Sequence, residues 1–121
     1  MKISIKGHIK DITSDEINSF KTKAIKTKDK ISYIIDNEKY ILKINSPEQL
    51  ILNRETDEIS STMYFELNKT KSSIYSIKNQ NINLDINVRT NKIKVADNFI
   101  AINYTITDSN NEYEYKIEMS E

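Results

Sequence analysis

The sequence contains no cysteine and no tryptophan, and its 121 residues include one glycine and one proline. The absence of cysteine excludes a disulfide framework, a thiolate zinc site and a thiol nucleophile. A single glycine excludes the glycine-rich loops that cradle phosphate groups. Turns that need a positive φ must therefore use asparagine or aspartate, which tolerate this backbone region better than other residues. We predict turns at Asp29, Asn37, Asn68, Asn79 and Asn110-Asn111.

An excess of charge of either sign is also missing, because 18 basic residues balance 18 acidic ones and the formal net charge is zero. Nucleic-acid binders usually have a basic surplus, or arginine and aromatic residues interleaved, and this chain has two arginines. A nucleic-acid partner is therefore disfavoured. The lysine-rich segment KTKAIKTKDK, residues 21–30, could contact RNA or an acidic partner, but a solvated strand face explains it better.

Long apolar runs are absent as well. No segment approaches the ~18 apolar residues of a membrane helix. The N-terminal stretch MKISIKGHIKD lacks the unbroken apolar core of a signal peptide. The sequence therefore predicts a protein with no membrane partner and a cytoplasmic location.

The dominant pattern is an alternation of apolar and polar residues, which indicates strands with one buried and one solvated face. Such strands are typical of antiparallel sheets, so we predict an all-β fold in one domain, residues 1–121. A helix beginning after Ser14 is an alternative for the second segment, but β-branched residues follow at once and favour a strand. The predicted strands are residues 2–10, 17–27, 31–36, 39–45, 49–55, 60–68, 70–78, 81–90, 98–107 and 112–119.

About eight to ten short strands in one small domain must protect their edges from pairing with other chains. A closed barrel does so by joining its first strand to its last. The short polar breaks favour hairpins between successive strands, and hence an antiparallel up-and-down β-barrel. A sandwich with Greek-key crossings is the alternative architecture.

The segments LNRETDEISSTMYFELNKTKSSIYSI, INLDINVRT and IAINYTI resemble the YwiB-like family, a group of small uncharacterised bacterial proteins. The resemblance covers residue 40 to the C-terminus. The chain departs from the family at three glycines, which are replaced within Glu55-Thr56-Asp57, at Asn68 and near Asn79-Gln80. The resemblance implies a lipocalin-like barrel of the calycin type and implies no activity. The family pattern maps onto Arg54, Met63, Phe65, Tyr75 and Tyr104.

Arg54 continues the alternation of Leu50 and Leu52, so its side chain is predicted to point to the apolar side. An inward arginine must find acceptors, because an unpaired buried charge is costly. It could anchor a carboxylate or phosphate group of a ligand. The structural alternative, which we favour, is an arginine at the barrel mouth that is paired with a neighbour such as Glu55 or Asp36.

Met63, Phe65, Tyr75 and Tyr104 are predicted on the interior faces of their strands. A barrel of this size is either filled by its own side chains or leaves room for one small ligand. A plain core is favoured, although enclosed tyrosine hydroxyls need hydrogen-bond partners. The bulky residues predicted to point inward are Leu50, Leu52, Met63, Phe65, Leu67, Ile82, Leu84, Ile86, Ile100, Ile102 and Ile117.

Catalytic and metal-binding patterns are not visible. His8 is the only histidine, and with no cysteine a transition-metal site is disfavoured. No spacing singles out a catalytic triad or a carboxylate pair. We therefore predict a non-enzymatic protein without a cofactor.

Two functions follow as expectations. The first is a small binding protein whose barrel encloses a partly apolar or anionic small molecule between Met63, Phe65, Tyr75 and Tyr104, oriented by Arg54. The second is an interaction module with a solid core that binds a protein or RNA partner through its surface.

Overall fold

The computed structural model describes residues 1–121 and consists of ten strands and one short 3-10 helix. The chain is all-β, as the alternation predicted. Most strand bounds lie within two residues of the predicted ones, except that the eighth strand continues to Val95. The strands are β1 Lys2–Asp11, β2 Glu16–Lys26, β3 Lys30–Ile35, β4 Glu38–Ser46, β5 Gln49–Glu55, β6 Ile59–Glu66, β7 Thr70–Ile77, β8 Ile82–Val95, β9 Phe99–Ile106 and β10 Asn111–Ser120, and the 3-10 helix is Lys78–Gln80.

The strands form a closed barrel in the order β1-β10-β9-β8-β7-β6-β5-β4-β3-β2. Each strand pairs antiparallel with its neighbours in the chain, and β1 closes the ring by pairing with β10 from Ser4–Ser120 to Asp11–Tyr113. The prediction of an antiparallel up-and-down barrel is confirmed, and its strand number is ten. Closure pairs the first strand with the last, whereas a sandwich would have left strands with unpaired backbone groups at its edges.

The segment that resembled a helix start is strand β2. Ser14 does not cap a helix. Instead the Asp11 carboxylate accepts hydrogen bonds from the backbone N–H groups of Thr13 and Ser14, at 3.0 and 3.2 Å. Asp15 then adopts φ 65°, which turns the chain back into β2. The local side-chain to backbone bonds therefore stabilise a hairpin turn.

Asparagine and aspartate supply every positive φ in the chain. The predictions for Asn37, Asn68 and Asn110 are confirmed. Asn79 is wrong in detail, because it lies in the 3-10 helix and Asn81 takes the left-handed conformation. Asp29 lies in the β2–β3 connection without a positive φ. The residues with positive φ are Asp15, Asp36, Asn37, Asn68, Asn81 and Asn110.

The turn after Arg54 is built without glycine and without a positive φ. The Thr56 hydroxyl accepts hydrogen bonds from the backbone N–H groups of Glu58 and Ile59, at 3.1 and 2.9 Å. The N–H of Thr56 donates to the carbonyl of Ile59 at 2.8 Å. A threonine hydroxyl thus performs the turn function that glycine has in the family pattern.

The core lies inside the barrel and is built from branched and aromatic side chains. The hydroxyls of Tyr33 and Tyr115, both buried, form a hydrogen bond across the interior. The ring of Tyr33 also stacks between those of Phe20 and Tyr40, with centroid distances of 5.5 and 4.9 Å. The buried apolar residues are Ile3, Ile5, Ala24, Ile31, Tyr33, Leu42, Leu50, Leu52, Phe65, Val88, Ile100, Ile102, Tyr104, Tyr115 and Ile117.

Gly7, the only glycine, marks a close approach in the middle of β1. A Cβ atom at this position would lie 2.5 Å from Cζ of Phe20 and 2.6 Å from the backbone oxygen of Lys116. The first contact is with the tip of a side chain, but the second is with the backbone of the neighbouring strand. The site therefore has no room for a side chain.

Gly7→Ala is expected to lower the free energy of unfolding by about 1–3 kcal/mol, because the added methyl group displaces the Phe20 ring and strains the β1–β10 pairing. Urea unfolding monitored by circular dichroism measures the change. Ser19→Ala, on the exposed face of β2 beside this site, is the control and should change stability by less than about 0.5 kcal/mol. An unchanged midpoint for Gly7→Ala would contradict the packing described.

Strand β8 extends beyond the barrel rim. Residues 82–89 pair with β7, whereas pairing with β9 begins only at Val88. Ile82 and Leu84 are consequently 38 % and 48 % exposed. The prediction that these two side chains belong to the enclosed core is wrong, because β9 does not extend alongside this part of β8 and the barrel does not enclose it. Leu67 is half-buried, outside strand β6.

A β-bulge between Thr90 and Lys92 shifts the register of β8 against β9. Thr90 is fully buried, and its Oγ1 has no hydrogen-bond partner. A buried hydroxyl without a partner destabilises the folded state relative to an apolar group of the same shape.

Thr90→Val is therefore expected to raise the free energy of unfolding by about 1 kcal/mol, since valine has the same shape and no polar group to desolvate. Thermal unfolding monitored by circular dichroism measures the effect. Thr70→Val, which makes the same chemical change at an exposed residue paired with Arg89 on β8, is the control and should have a smaller effect. A loss of stability in Thr90→Val would show that the hydroxyl has a partner in solution.

Candidate functional site

The interior of the barrel is filled by its own side chains. Phe65 and Tyr104 are 1 % and 6 % exposed, and their rings lie 5.0 Å apart. The main pockets are open to the surface, and none of them is lined by Arg54, Met63, Tyr75 or Tyr104. Phe65 lines a small pocket of about 80 Å³. The main pockets therefore do not coincide with the predicted ligand site.

Arg54 lies near the barrel mouth and is paired with Glu38 of β4. Its Nε donates to Oε1 of Glu38 at 2.7 Å, and its Nη2 contacts the same oxygen. The predicted partners, Glu55 and Asp36, were wrong. The β4–β5 register places Arg54 opposite Tyr40, and Glu38 lies two residues before Tyr40 on the same face of β4. Glu55 instead bonds Lys78, at 2.9 Å. Asp36 belongs to the β3–β4 turn.

The pKa of the Arg54 guanidinium reflects this environment. Partial burial lowers the pKa, but the hydrogen bond to Glu38 and the nearby Tyr40, Glu38 and Tyr75 outweigh burial and leave it raised. About a third of the side chain, 36 %, remains exposed. Arg54 is therefore a cation that is held in place by a carboxylate and still in contact with solvent.

The five residues singled out in the sequence fall into two groups. Arg54 and Tyr75 flank Ser61 in the cross-strand register, so they lie on the same side of the mouth. Phe65 and Tyr104 form an aromatic pair in the core. Met63 is half-buried, opposite Leu52, and packs against the core. The structure therefore does not bring all five around one cavity.

A different surface is distinguished by its charge. The outward-facing residues of β1–β4 include no acidic residue, although the whole chain is neutral. We call this surface the lysine wall. Its lysines are Lys2, Lys6, Lys10, Lys21, Lys23, Lys30, Lys39 and Lys43.

Most of these ammonium groups form no ion pair within the chain. Only Lys10 forms an ion pair, with Asp15 at 3.4 Å. Lys23 donates to the hydroxyl of Ser4 at 2.7 Å. Lys6 lies directly opposite Lys21 across the β1–β2 pair, an arrangement of like charges that destabilises a sheet. On their other sides Lys6 lies opposite Glu118 of β10 and Lys39 lies opposite Glu55 of β5, so acidic residues flank the wall. Within its four strands the wall presents a surface of positive charge with few ion pairs.

The lysine wall surrounds an apolar pocket of about 370 Å³. Ile25 and Ile34 line it and are 57 % and 56 % exposed, and Ile41 lies beside them on β4. Lys2, Lys23 and Lys39 also line the pocket. It lies where β2 separates from β3 after the Ala24–Tyr33 pair, so the inner rings of Tyr33 and Tyr40 contribute to its lining.

The sequence contained a signal for this pocket that the alternation alone did not use. In Tyr33-Ile34-Ile35 and Tyr40-Ile41-Leu42 apolar residues are consecutive, so one apolar side chain of each run must face outward. The lysine cluster at 21–30 was recognised, but its combination with Lys2 and Lys39 requires knowledge of which strands are neighbours.

No group of three or more His, Cys, Asp or Glu side chains is arranged to hold a metal ion. The Nε2–H of His8 donates to Oε1 of Glu114 at 2.8 Å on the outer face of the barrel. The structure contains no helix with the length and apolar character of a membrane span.

The fold and these surfaces define a small closed antiparallel barrel with a solid interior. The chain belongs to the family described as "Domain of unknown function (DUF1934)", whose model matches residues 3–119. A solved structure described as that of the ywiB protein from Bacillus subtilis has the same fold, with a TM-score of 0.72. It is 18 % identical, and the match covers 98 % of this chain and 89 % of the other. No curated protein matches the chain. The resemblance to the YwiB-like family is thereby confirmed.

Proposed function

We propose that the protein is a non-catalytic interaction module that binds an acidic segment of a partner protein on the lysine wall. The observation that supports the proposal best is the apolar pocket between Lys2, Lys23 and Lys39. A partner with one apolar side chain in this pocket and carboxylates around it would bury Ile25 and Ile34. It would also neutralise Lys2 and Lys23, which line the pocket and form no ion pair within the chain.

A protein partner fits this surface better than RNA does. Binding of single-stranded RNA relies on aromatic or arginine side chains on which bases stack. The outward-facing residues of β1–β4 include no phenylalanine, tyrosine, tryptophan or arginine, and the one imidazole, that of His8, is hydrogen-bonded to Glu114. The apolar contacts come from isoleucine, which packs against aliphatic side chains and offers no stacking surface.

The proposal is tested by fluorescence anisotropy with three labelled probes of equal length. One is a glutamate-rich peptide with alternating leucine residues, one is the same peptide with lysine in place of glutamate, and one is a single-stranded RNA. Only the acidic peptide is expected to bind, and its affinity should fall as salt rises, because exposed charges are screened over about 10 Å at 0.1 M ionic strength.

Charge reversal locates the surface. The double variant Lys23→Glu/Lys39→Glu is expected to weaken the acidic peptide by roughly 2- to 30-fold, the effect of losing two exposed ion pairs. Lys92→Glu, at an exposed lysine of β8 without an ion pair, is the matched control and should leave the affinity unchanged. Ile34→Asp tests the apolar contact separately. The proposal would be contradicted if RNA bound as tightly as the acidic peptide. It would also be contradicted if both Lys23→Glu/Lys39→Glu and Ile34→Asp left the affinity for the peptide unchanged.

A small anionic ligand held by Arg54 at the barrel mouth is a second candidate function. It is favoured by one observation, that 36 % of the Arg54 side chain is exposed beside Tyr40 and Tyr75. In this case the ligand would compete with Glu38 for the guanidinium. Met63, Phe65 and Tyr104 would then support the mouth from the core and would not contact the ligand.

Native mass spectrometry of the purified protein tests this second candidate. Arg54→Met is expected to remove a bound small molecule that is present in the wild type, whereas Arg54→Lys should retain part of it. A wild-type spectrum without any adduct, or an adduct that Arg54→Met retains, would reject the anchor.

Three further statements remain predictions from the sequence. They are the lipocalin-like, calycin assignment of the barrel, the cytoplasmic location and the absence of enzymatic activity.

A further inference from the structure

We propose that the free edge of β8, residues 82–86, pairs with the same edge of a second copy of the chain, in an antiparallel register centred on Leu84. This edge is about halfway round the barrel from the lysine wall, so the inference does not depend on the function proposed above. It rests on three properties of the edge: its backbone groups are free, its sequence is self-complementary and it contains no lysine and no proline.

The direction of the backbone groups follows from one hydrogen bond. The N–H of Thr107 donates to the carbonyl oxygen of Asn87 at 3.0 Å, so the polar groups of Asn87 face the side where β9 lies. These groups alternate along a strand, so those of Asn83 and Asp85 face the same side. No backbone of β9 reaches them, because β8–β9 pairing begins at Val88. Both residues are exposed.

A two-fold axis at Leu84 makes Asn83 of one copy the partner of Asp85 in the other. Each such pair exchanges two backbone hydrogen bonds, which gives four in the dimer. On the outer face, the Asn83 amide meets the Asp85 carboxylate, whereas a register centred on Asp85 would place two like charges opposite each other. Oδ1 of Asn83 already accepts a hydrogen bond from Ser76 at 2.7 Å, so its NH₂ group faces the carboxylate.

The other face of this pairing is apolar. It brings Leu84 against Leu84 of the second copy, and Ile82 against Ile86. Ile82 and Leu84 are among the most exposed large apolar side chains of the chain, at 38 % and 48 %. Their burial supplies the hydrophobic contribution that an edge pairing alone lacks.

Another free edge, on β2, shows the contrast. Strand β2 pairs with β3 only through Ala24–Lys26, so residues 16–23 also lack a neighbour on that side. That edge contains Glu16, Lys21 and Lys23, and lysines on an edge discourage pairing with another chain. The β8 edge, with the sequence INLDIN, contains no lysine and no proline. The β8 edge therefore lacks the lysines that protect the β2 edge.

Five residues from each copy bury less area than a standard interface, so the dimer is expected to form only at high concentration. Sedimentation equilibrium of the full chain, from about 10 µM to about 1 mM, measures its dissociation constant. Amide hydrogen exchange provides a local readout. Exchange at Asn83 and Asp85 should slow as concentration rises, while the amide of Leu84, which faces β7, should be protected throughout.

Two substitutions of Asn83 that introduce opposite charges distinguish an effect on dimer pairing from an effect on the stability of the fold. Asn83→Asp places two carboxylates opposite each other in both symmetric pairs and should weaken the dimer roughly 2- to 30-fold. Asn83→Lys creates two opposite-charge pairs and should strengthen it by a similar factor. Circular dichroism verifies that both variants remain folded. A monomer at every concentration, or a dissociation constant that both variants shift in the same direction or leave unchanged, would overturn the proposal.

Discussion

Phe65→Ala is expected to lower the free energy of unfolding by about 3–5 kcal/mol, the cost of removing a fully buried aromatic side chain. Phe65 is 1 % exposed, lies opposite Leu50 and contacts the ring of Tyr104. Because domains of this size are stable by only about 5–15 kcal/mol, the variant loses a large part of its total stability. Urea unfolding followed by circular dichroism measures the loss.

The adjacent residue provides the control for this experiment. Tyr64 is also aromatic but faces outward, with 37 % of its surface exposed. Tyr64→Ala should change stability far less than Phe65→Ala, by less than about 1 kcal/mol. A cost below about 1 kcal/mol for Phe65→Ala would mean that the lumen is loosely packed around this ring, and would then favour a ligand inside the barrel over a solid core.

Alkaline unfolding is the second large effect that the structure predicts. Burial strongly raises the pKa of the Tyr33, Tyr104 and Tyr115 hydroxyls above the ordinary value of about 10, and it also raises the pKa of the half-buried Tyr40. The folded state therefore retains three protons that the unfolded state releases above pH 10. Stability is fully present below about pH 10 and should then fall by up to about 4 kcal/mol per pH unit, since each tyrosine contributes up to about 1.4 kcal/mol per unit.

The measurement combines urea unfolding at several pH values with the ultraviolet absorbance of tyrosinate. Unfolding and tyrosine ionisation are expected to coincide above about pH 10. In Tyr33→Phe/Tyr115→Phe two of the three groups are removed together, so neither hydroxyl is left unpaired. Because Tyr104 and the less strongly shifted Tyr40 remain, the slope of stability against pH should fall to roughly a third to a half of the wild-type value. An unchanged slope would assign the alkaline loss to lysine deprotonation.

The strands could be predicted because their signal is local. Alternating residues such as those of Ile100–Ile106 specify one buried and one solvated face without reference to other strands. The turns were also largely local, since Asn37, Asn68 and Asn110 adopt the positive φ that a chain with one glycine must assign to asparagine or aspartate. Ile82 and Leu84 were predicted wrongly, because alternation along β8 cannot reveal that β9 does not pair with this part of the strand.

The candidate site could be predicted only in part. The apolar side chains of Phe65 and Tyr104 lie inside, as their strand positions indicated. The partner of Arg54 was missed, because Glu38 is 16 residues away and becomes a neighbour only through the β4–β5 register. The lysine wall was visible only as the cluster at residues 21–30.

The amino-acid sequence by itself determined the fold class, the number of strands and which face of most strands is apolar, because alternation and turn chemistry act over a few residues. Only the tertiary structure decided that the lumen is filled, that Arg54 is paired with Glu38, and that lysines from four strands form one surface. These properties depend on closure and register, which bring together residues that are distant in the chain and which no short segment encodes.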